Sequence, residues 1–312
     1  MRVEEELAQL SPGRDMLLAV GVFDGVHLGH RHLIAQLAEQ ARREDLLSGV
    51  VTFRQHPREV LSPGTGLPYL TSVARREALL REAGAEEVVS LSFTPELARL
   101  AARDFVILLK RHLRMRGLVI GPDFALGRGR EGNAAALRRL GEELGFRVTA
   151  VSPMTISGEV VSSTAIRTAL AGGDMRRVSR LLGRPFSLEG TVTTGAGRGA
   201  GLGFPTANLD MDRSQALPPD GVYATWACVG GENHQSMTNI GTSPTFGENE
   251  RTVEVFLLDY RGSLYGQDLK IDLMERLRDE KRFDTVDELK KQIAEDVEQG
   301  KAILSARGAE QR

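Results

Sequence analysis

Leu17-Leu-Ala-Val20, followed without a break by Gly21-Val-Phe23-Asp24-Gly25-Val-His27-Leu-Gly-His30, is the stretch on which the fold turns. A short apolar run ends in a glycine-bearing turn, and a helical pattern opens at His30 or Arg31 and lasts to about residue 43. Strand, turn and helix start, in that order, make an anion site. The N–H groups of a first helical turn have no partner inside the helix, and the helix dipole turns its positive end toward them. His27 and His30 would add side-chain donors. A His-x-x-His pair also suggests zinc, but a closed zinc site needs four ligands and the only cysteine, Cys228, is distant in sequence. Histidines that merely satisfy core hydrogen bonds are the plainer alternative.

Outward from this stretch, short apolar runs alternate with helical patterns. Runs at 17–20, 50–53, 88–91, 118–120 and 148–151 are separated by expected helices near 31–43, 74–83, 95–113 and 134–144. That alternation predicts an α/β domain with a parallel, Rossmann-like sheet. Ligands of open parallel sheets bind at the carboxyl ends of the strands, and three further polar clusters follow expected strands. They are Thr52-Phe-Arg-Gln-His56-Pro57, Gly121-Pro-Asp123-Phe and, after Val160–Val161, Ser162-Ser163-Thr164-Ala-Ile-Arg167. Ser162 or Ser163 would equally serve as the N-cap of a helix through Leu170, with Arg167 about one turn inside and in reach of a phosphate. Gly127-Arg-Gly129-Arg-Glu-Gly132 fits the dinucleotide pattern G-x-G-x-x-G but does not open directly on a strand. It also lacks the acidic residue about 20 positions on, where Ser152 stands. There is no G-x-x-x-x-G-K-[ST].

Length and charge set the frame. At 312 residues the chain has room for about two domains. A single cysteine rules out an intrachain disulfide framework. With 40 basic and 42 acidic residues there is no overall basic surplus for nucleic acid. No apolar run reaches the ~18 residues of a membrane span, and the acidic start MRVEEELAQL is unlike a signal peptide, so the expectation is a cytoplasmic protein. Residues 1–183 hold 25 basic and 21 acidic side chains and the remainder 15 and 21, with five of the six lysines in the second part. The expected domains are 1–183 and 184–312, joined through Asp174–Phe186.

Beyond Pro185 the pattern changes to strands near 188–193, 222–229, 236–240, 252–258 and 269–274, which reads as antiparallel β. A helix near 285–304 carries Val286, Leu289, Ile293, Val297 and Ile303 at helical spacing and would seal one side of the sheet or barrel. Gly195-Ala-Gly197-Arg198-Gly-Ala-Gly-Leu-Gly203 has glycine at every second position and runs into Phe204-Pro205-Thr206-Ala-Asn208. Such a loop lets N–H groups approach an anion, while Thr206 and Asn208 offer neutral oxygens to a hard cation; a flexible hairpin connection is the alternative. Glu254 lies in an otherwise apolar run, Thr-Val-Glu-Val-Phe-Leu-Leu, where alternation could place it on a solvated face.

In order and register, the four clusters of the first half resemble the nucleotidyltransferase module of the prokaryotic bifunctional riboflavin kinase/FAD synthetases over about residues 15–182. The resemblance implies ATP held by Gly21, Phe23, Asp24, Gly25, His27, His30, Asp123, Ser163, Thr164 and Arg167, with His56 and Pro57 on the flavin side. His27, His30 and Arg167 would steady charge during the reaction. The second half, from about Gly190 to Asp296, resembles the riboflavin kinase domain through Gly-Phe-Pro-Thr-Ala-Asn208, Asn239-Ile-Gly-Thr-Ser-Pro-Thr-Phe-Gly247, Leu264-Tyr-Gly266 and Leu277-Arg-x-Glu280. It implies an antiparallel barrel with ATP on Gly195, Gly197, Arg198, Gly203, Pro205, Thr206 and Asn208, Mg²⁺ on Thr206 and Asn208, and Glu254 as catalytic carboxylate. Phe256, where histidine is common, and Gly199-Ala-Gly-Leu-Gly203 depart from that pattern.

The implied reactions are riboflavin plus ATP to FMN and ADP, then FMN plus ATP to FAD and pyrophosphate, both with Mg²⁺ and neither with a tightly bound redox cofactor. A nucleotidyltransferase for another substrate, such as a pantetheine or glycerol phosphate, fused to an unrelated β domain is a competing reading. A flavin-binding protein without turnover is another.

Overall fold

The computed structural model describes residues 3–10, 12–62, 64, 66–193, 204–242 and 251–310. Packing divides the chain into two compact units, 1–163 and 164–312.

In the first unit, α1 (Val3–Ala8), β1 (Met16–Val20), α2 (Leu28–Arg43), β2 (Leu47–Phe53), α3 (Pro57–Leu61), α4 (Val73–Glu82) and β3 (Glu87–Leu91) are followed by α5 (Pro95–Arg99), α6 (Ala102–Leu113) and β4 (Met115–Ile120). Then come the ribbon β5 (Ala125–Leu126) with β6 (Gly132–Asn133), α7 (Ala134–Leu144), β7 (Arg147–Ala150) and the hairpin β8 (Thr155–Ile156) with β9 (Glu159–Val160). Five parallel strands run in the order β3-β2-β1-β4-β7. All five residues of β1 are buried, as a central strand covered on both faces requires. Its side chains alternate between two cores. Met16, Leu18 and Val20 join Leu7, Phe105, Leu109 and Leu137 on one face, whereas Leu17 and Ala19 meet Ile34, Leu37, Leu79 and Leu80 on the other.

Because β2 and β4 flank β1 on opposite sides, strand order reverses at β1, and the turn that follows it lies at the switch point where such sheets bind ligands. The helix expected over 95–113 is two helices, broken where Leu100 and Ala101 take extended backbone. The cluster at Ser162 follows β9 of the small hairpin rather than a strand of the parallel sheet. The G-x-G-x-x-G match is structural. Gly127, at φ 77°, and Gly132 border Ala102 so closely that a Cβ on either would strike it, and the Glu131 carboxylate accepts the Ala102 N–H at 2.8 Å.

The second unit holds α8 (Ser163–Ala171, whose first residue counts with the first unit), α9 (Met175–Leu182), β10 (Phe186–Thr193), β11 (Ala207–Met211), β12 (Gly221–Val229), β13 (Glu232–Thr242), β14 (Arg251–Leu257), β15 (Asp268–Arg278) and a C-terminal helix, Val286–Glu310. The stretch expected to be a junction contains α9, capped by Asp174 and ended by Gly183 in the left-handed region, with Val178, Leu181 and Leu182 buried. Six strands close into an antiparallel barrel in the order β10-β11-β14-β13-β12-β15. β11 is the strand the sequence pattern did not show. Val253, Val255 and Leu257 are buried along β14, while Thr252, Glu254 and Phe256 alternate with them on the other face. The C-terminal helix covers Ala224, Met237, Leu258 and Met274 with Leu304, Val297 and Ile303. Val286, expected in that apolar face, is 55% exposed and outside it. Instead the buried Asp296 fixes the helix, accepting from Arg278 at 2.7 Å.

Candidate active sites

Three turn residues in a row of four have left-handed backbone: Phe23 at φ 51°, Gly25 at 82° and Val26 at 36°. For Phe23 and Val26 that is strained, and it persists only where the surroundings over-determine it. Here they do. The buried Asp24 carboxylate accepts the N–H groups of Leu70 at 3.0 Å and Thr71 at 3.2 Å, the Gly25 N–H reaches Thr71 Oγ1 at 3.2 Å, and Ser163 Oγ donates to the Asp24 carbonyl at 2.9 Å. Thr52 Oγ1 and Arg76 Nη1 both donate to the Val22 carbonyl, at 3.0 and 2.9 Å.

The bolted turn delivers His27 as the N-cap of α2, its Nδ1 accepting the His30 N–H at 3.2 Å, which puts the neutral ring's proton on Nε2. His30 stacks on His27 with centroids 3.6 Å apart and meets the edge of Phe23 at 5.1 Å. Burial, and after it the neighbouring His27 and Arg76, hold the His30 imidazolium well below the ordinary histidine range. His30 is therefore neutral at pH 7, with a buried Nδ1 that has no hydrogen-bond partner. A neutral imidazole at a helix start can meet an anion only through hydrogen bonds and the helix dipole, not through imidazolium charge. Among the described residues no three His, Cys, Asp or Glu side chains form a metal-ligand group.

His56 caps α3, its Nδ1 accepting from the Arg58 N–H, and Pro57 is the first helical residue. The His56 N–H donates to the Tyr69 hydroxyl at 2.6 Å; burial and a bond to Glu59 push that phenol up to about 12. Asp123 is exposed after β4, its carbonyl accepting from Arg130 at 2.8 Å, and Gly21 extends β1 by donating to the Val51 carbonyl at 3.0 Å. The first unit thus gathers the Gly21–His30 turn, His56–Pro57 and Asp123 at the carboxyl ends of β1, β2 and β4, with Ser163 bonded to the turn. Thr164 and Arg167 follow on α8, exposed and half-buried, and belong to the second unit.

In the barrel, Glu254 stands directly opposite Asn208 of β11 on one side and Asn239 of β13 on the other. Opposed residues of antiparallel strands point to the same face, so the three form a row on the outer surface. Thr206 Oγ1 donates to Glu254 Oε2 at 3.5 Å. Glu254 is thus on the outer face, as alternation allowed, and half-buried beside Thr206. Phe256 packs edge-on to Phe204 at 5.5 Å and joins the apolar seam under the C-terminal helix, so it has a packing role. Glu280 abuts Gly241, where a Cβ would lie 2.6 Å from its Oε1, and burial followed by the nearby Asp220 raises its carboxyl above the usual range. Pro205 is exposed just before β11. Gly195, Gly197, Arg198 and Gly203 lie outside the described residues.

Comparison with known proteins follows this division. A family model for FAD synthetase matches residues 11–165 and one for riboflavin kinase matches residues 182–304. The bifunctional riboflavin kinase/FMN adenylyltransferase of Escherichia coli is 38% identical over 92% of both chains, and that of Pseudomonas fluorescens 37% identical over 98% of both. The chain belongs to the bifunctional riboflavin kinase/FMN adenylyltransferase family.

A solved structure described as a macrolide-efflux protein from Streptococcus pneumoniae is also similar, at 30% identity with a TM-score of 0.86 over 94% of this chain and 95% of that one. Among the described residues no helix is long and apolar enough to cross a membrane. As a member of that family the chain combines two activities, with the FAD synthetase match in its first half and the riboflavin kinase match in its second. Sequence reasoning missed Tyr69, Thr71 and Arg76, which tie down the adenylyltransferase turn. The signal was present in Tyr69-Leu-Thr71-Ser, a polar cluster ahead of the helical pattern at 74–83.

Proposed function

We propose that the barrel phosphorylates riboflavin to FMN and that the α/β unit, with α8, adenylylates FMN to FAD. The observation that carries the kinase half is the row Asn208, Glu254, Asn239 with Thr206 against the carboxylate. The functional modules run over 1–183 and 184–312, although α8 and α9 group with the barrel in packing.

An alcohol must lose a proton to attack ATP, whereas the FMN phosphate, with a second pKa of ~6, is already anionic. Only the kinase needs a base. Glu254 takes the 5′-hydroxyl proton as the riboflavin oxygen bonds to the γ-phosphorus and ADP leaves. Its three polar neighbours orient the carboxylate. Thr206 and Asn208 present oxygen donors beside Glu254, a set that fits a hard cation such as Mg²⁺ held jointly with ATP, which neutralises phosphate charge when bound. Gly195, Gly197, Arg198, Gly203 and Pro205 are the remaining ATP-binding residues in this reading, the first four of them outside the described residues.

In the adenylyltransferase, an FMN phosphate oxygen bonds to the α-phosphorus of ATP and the bond to pyrophosphate breaks. His27, His30 and the α2 start steady the charge that builds on the phosphates, Asp123 stands at the same strand ends, and Arg167 is the ATP-binding arginine that the family resemblance adds. Gly21, Phe23, Asp24, Gly25 and Ser163 shape that turn, Thr164 adds a hydroxyl, and His56 with Pro57 faces the flavin. ATP, riboflavin, FMN, FAD, ADP and pyrophosphate are the small-molecule partners, and the supply of ATP places the protein in the cytoplasm. Incubating the purified chain with riboflavin, ATP and Mg²⁺ while separating flavins by chromatography tests the scheme. FMN should appear first and FAD follow. FMN alone would reopen the substrate of the α/β unit, and flavin retained without turnover would favour a binding protein.

A further inference from the structure

Arg76 of α4 is among the most deeply buried side chains of the protein, with no exposed surface. Its Nη1 donates to the Val22 carbonyl at 2.9 Å and its guanidinium lies over the Tyr69 ring at 5.9 Å, but its buried Nε and Nη2 have no hydrogen-bond partner. Burying a guanidinium that is only partly hydrogen-bonded is costly, and an aliphatic residue would fill the same space at less cost. Packing alone does not account for an arginine here. What the guanidinium holds is the carbonyl at the entry of the Phe23–Val26 turn, the segment in which Phe23 and Val26 carry left-handed backbone. Tyr69 on its other side accepts the His56 N–H, so the same side chain touches the tie between the turn and the His56–Pro57 segment.

We propose that Arg76 is a positioning residue for adenylyl transfer: it locks the turn after β1 in the conformation that presents His27 and His30 to ATP. This rests on the reading of the first unit as the FMN adenylyltransferase. Arg76 does so from behind the turn, through the Val22 carbonyl that it shares with Thr52 Oγ1, while Asp24 bolts the same turn to Leu70 and Thr71. Loosening it lets Phe23 and Val26 relax to ordinary backbone, which moves both imidazoles before ATP arrives.

The test uses the full-length Arg76→Lys and Arg76→Met variants, with FMN-to-FAD conversion measured against ATP concentration. Lysine keeps the charge and loses the planar fork; methionine keeps only the stem. A smaller folded fraction would lower apparent kcat and leave KM unmoved, whereas a misplaced turn raises KM for ATP. The expected result is a rise in the ATP KM of at least threefold in whichever variants turn over, larger for Arg76→Met, with riboflavin phosphorylation within twofold of the parent chain. Loss of turnover with the unit's cooperative melt retained would also support the proposal. A KM change below threefold, or loss of that melt in both variants, would overturn it and assign Arg76 to packing. Failure of the parent chain to make FAD would instead sink the adenylyltransferase reading before any variant is compared.

Discussion

Glu254 is a carboxylate whose position in a strand is explained only by what stands opposite it. Asn208 and Asn239 flank it in register and Thr206 touches it, so its replacement by glutamine keeps the row and removes only the proton acceptor. General-base catalysis typically contributes ~10²–10⁴-fold. Glu254→Gln should therefore lower riboflavin phosphorylation by at least about a hundredfold while FMN-to-FAD conversion stays near the parent rate. Chromatography with each flavin as starting substrate reads both; equal loss of the two activities would show that the sites do not act separately. Asp24 is spent differently. As part of the Gly-x-Phe-Asp-Gly motif it reads as a ligand, yet both carboxylate oxygens are spent on backbone N–H groups of Leu70 and Thr71, which makes it a support for the turn.

At the scale of elements, β1 and α2 were legible because a fully buried run and a glycine turn leave few alternatives, and the strands of the parallel sheet fall where apolar runs placed them. β11 was not legible. Ala207-Asn-Leu-Asp-Met is short, and its outward Asn208 and Asp210 dilute the apolar signal that marks a strand. It is paired on both sides, with β10 and with β14, and closure of the barrel rather than local pattern fixes it. That same closure brings Asn208 to Glu254, so one of the three residues of the kinase row depended on an element the sequence hid. Gly190 of β10 explains how β11 can lie so close: a Cβ there would run into the backbone carbonyl of Asp210 and come within 3.1 Å of Leu209. A backbone carbonyl cannot rotate aside as a long side chain can. Gly190→Ala should cost the barrel about 1–3 kcal/mol by overpacking and depress FMN formation, because β11 carries Asn208. Thermal melting together with the kinase assay checks this, and an unchanged melt would mean that the β10–β11 pair has slack.

For the whole molecule, each unit has a core of its own, one on the two faces of the parallel sheet and one in and around the barrel. The two should therefore respond differently to pH. His30 is held neutral in the folded first unit because burial, His27 and Arg76 depress its pKa well below 6.5, while the unfolded chain protonates it near that value. Below about pH 6.5 the unfolded state binds a proton that the folded state does not. The stability His30 allows is thus complete above that pH and is lost as pH falls, with a slope of up to about 1.4 kcal/mol per pH unit. Calorimetry of the parent chain and of His30→Gln at about pH 5.5 and 7.5 isolates this contribution from the carboxylates, which titrate in both proteins. The expected result is two transitions in the parent chain. The one that Gly190→Ala does not move should fall with acid, and should fall less in His30→Gln. An equal acid response in parent and variant would show that His30 gains its proton in the folded state, and the adenylyltransferase would then meet ATP with an imidazolium instead of a neutral ring.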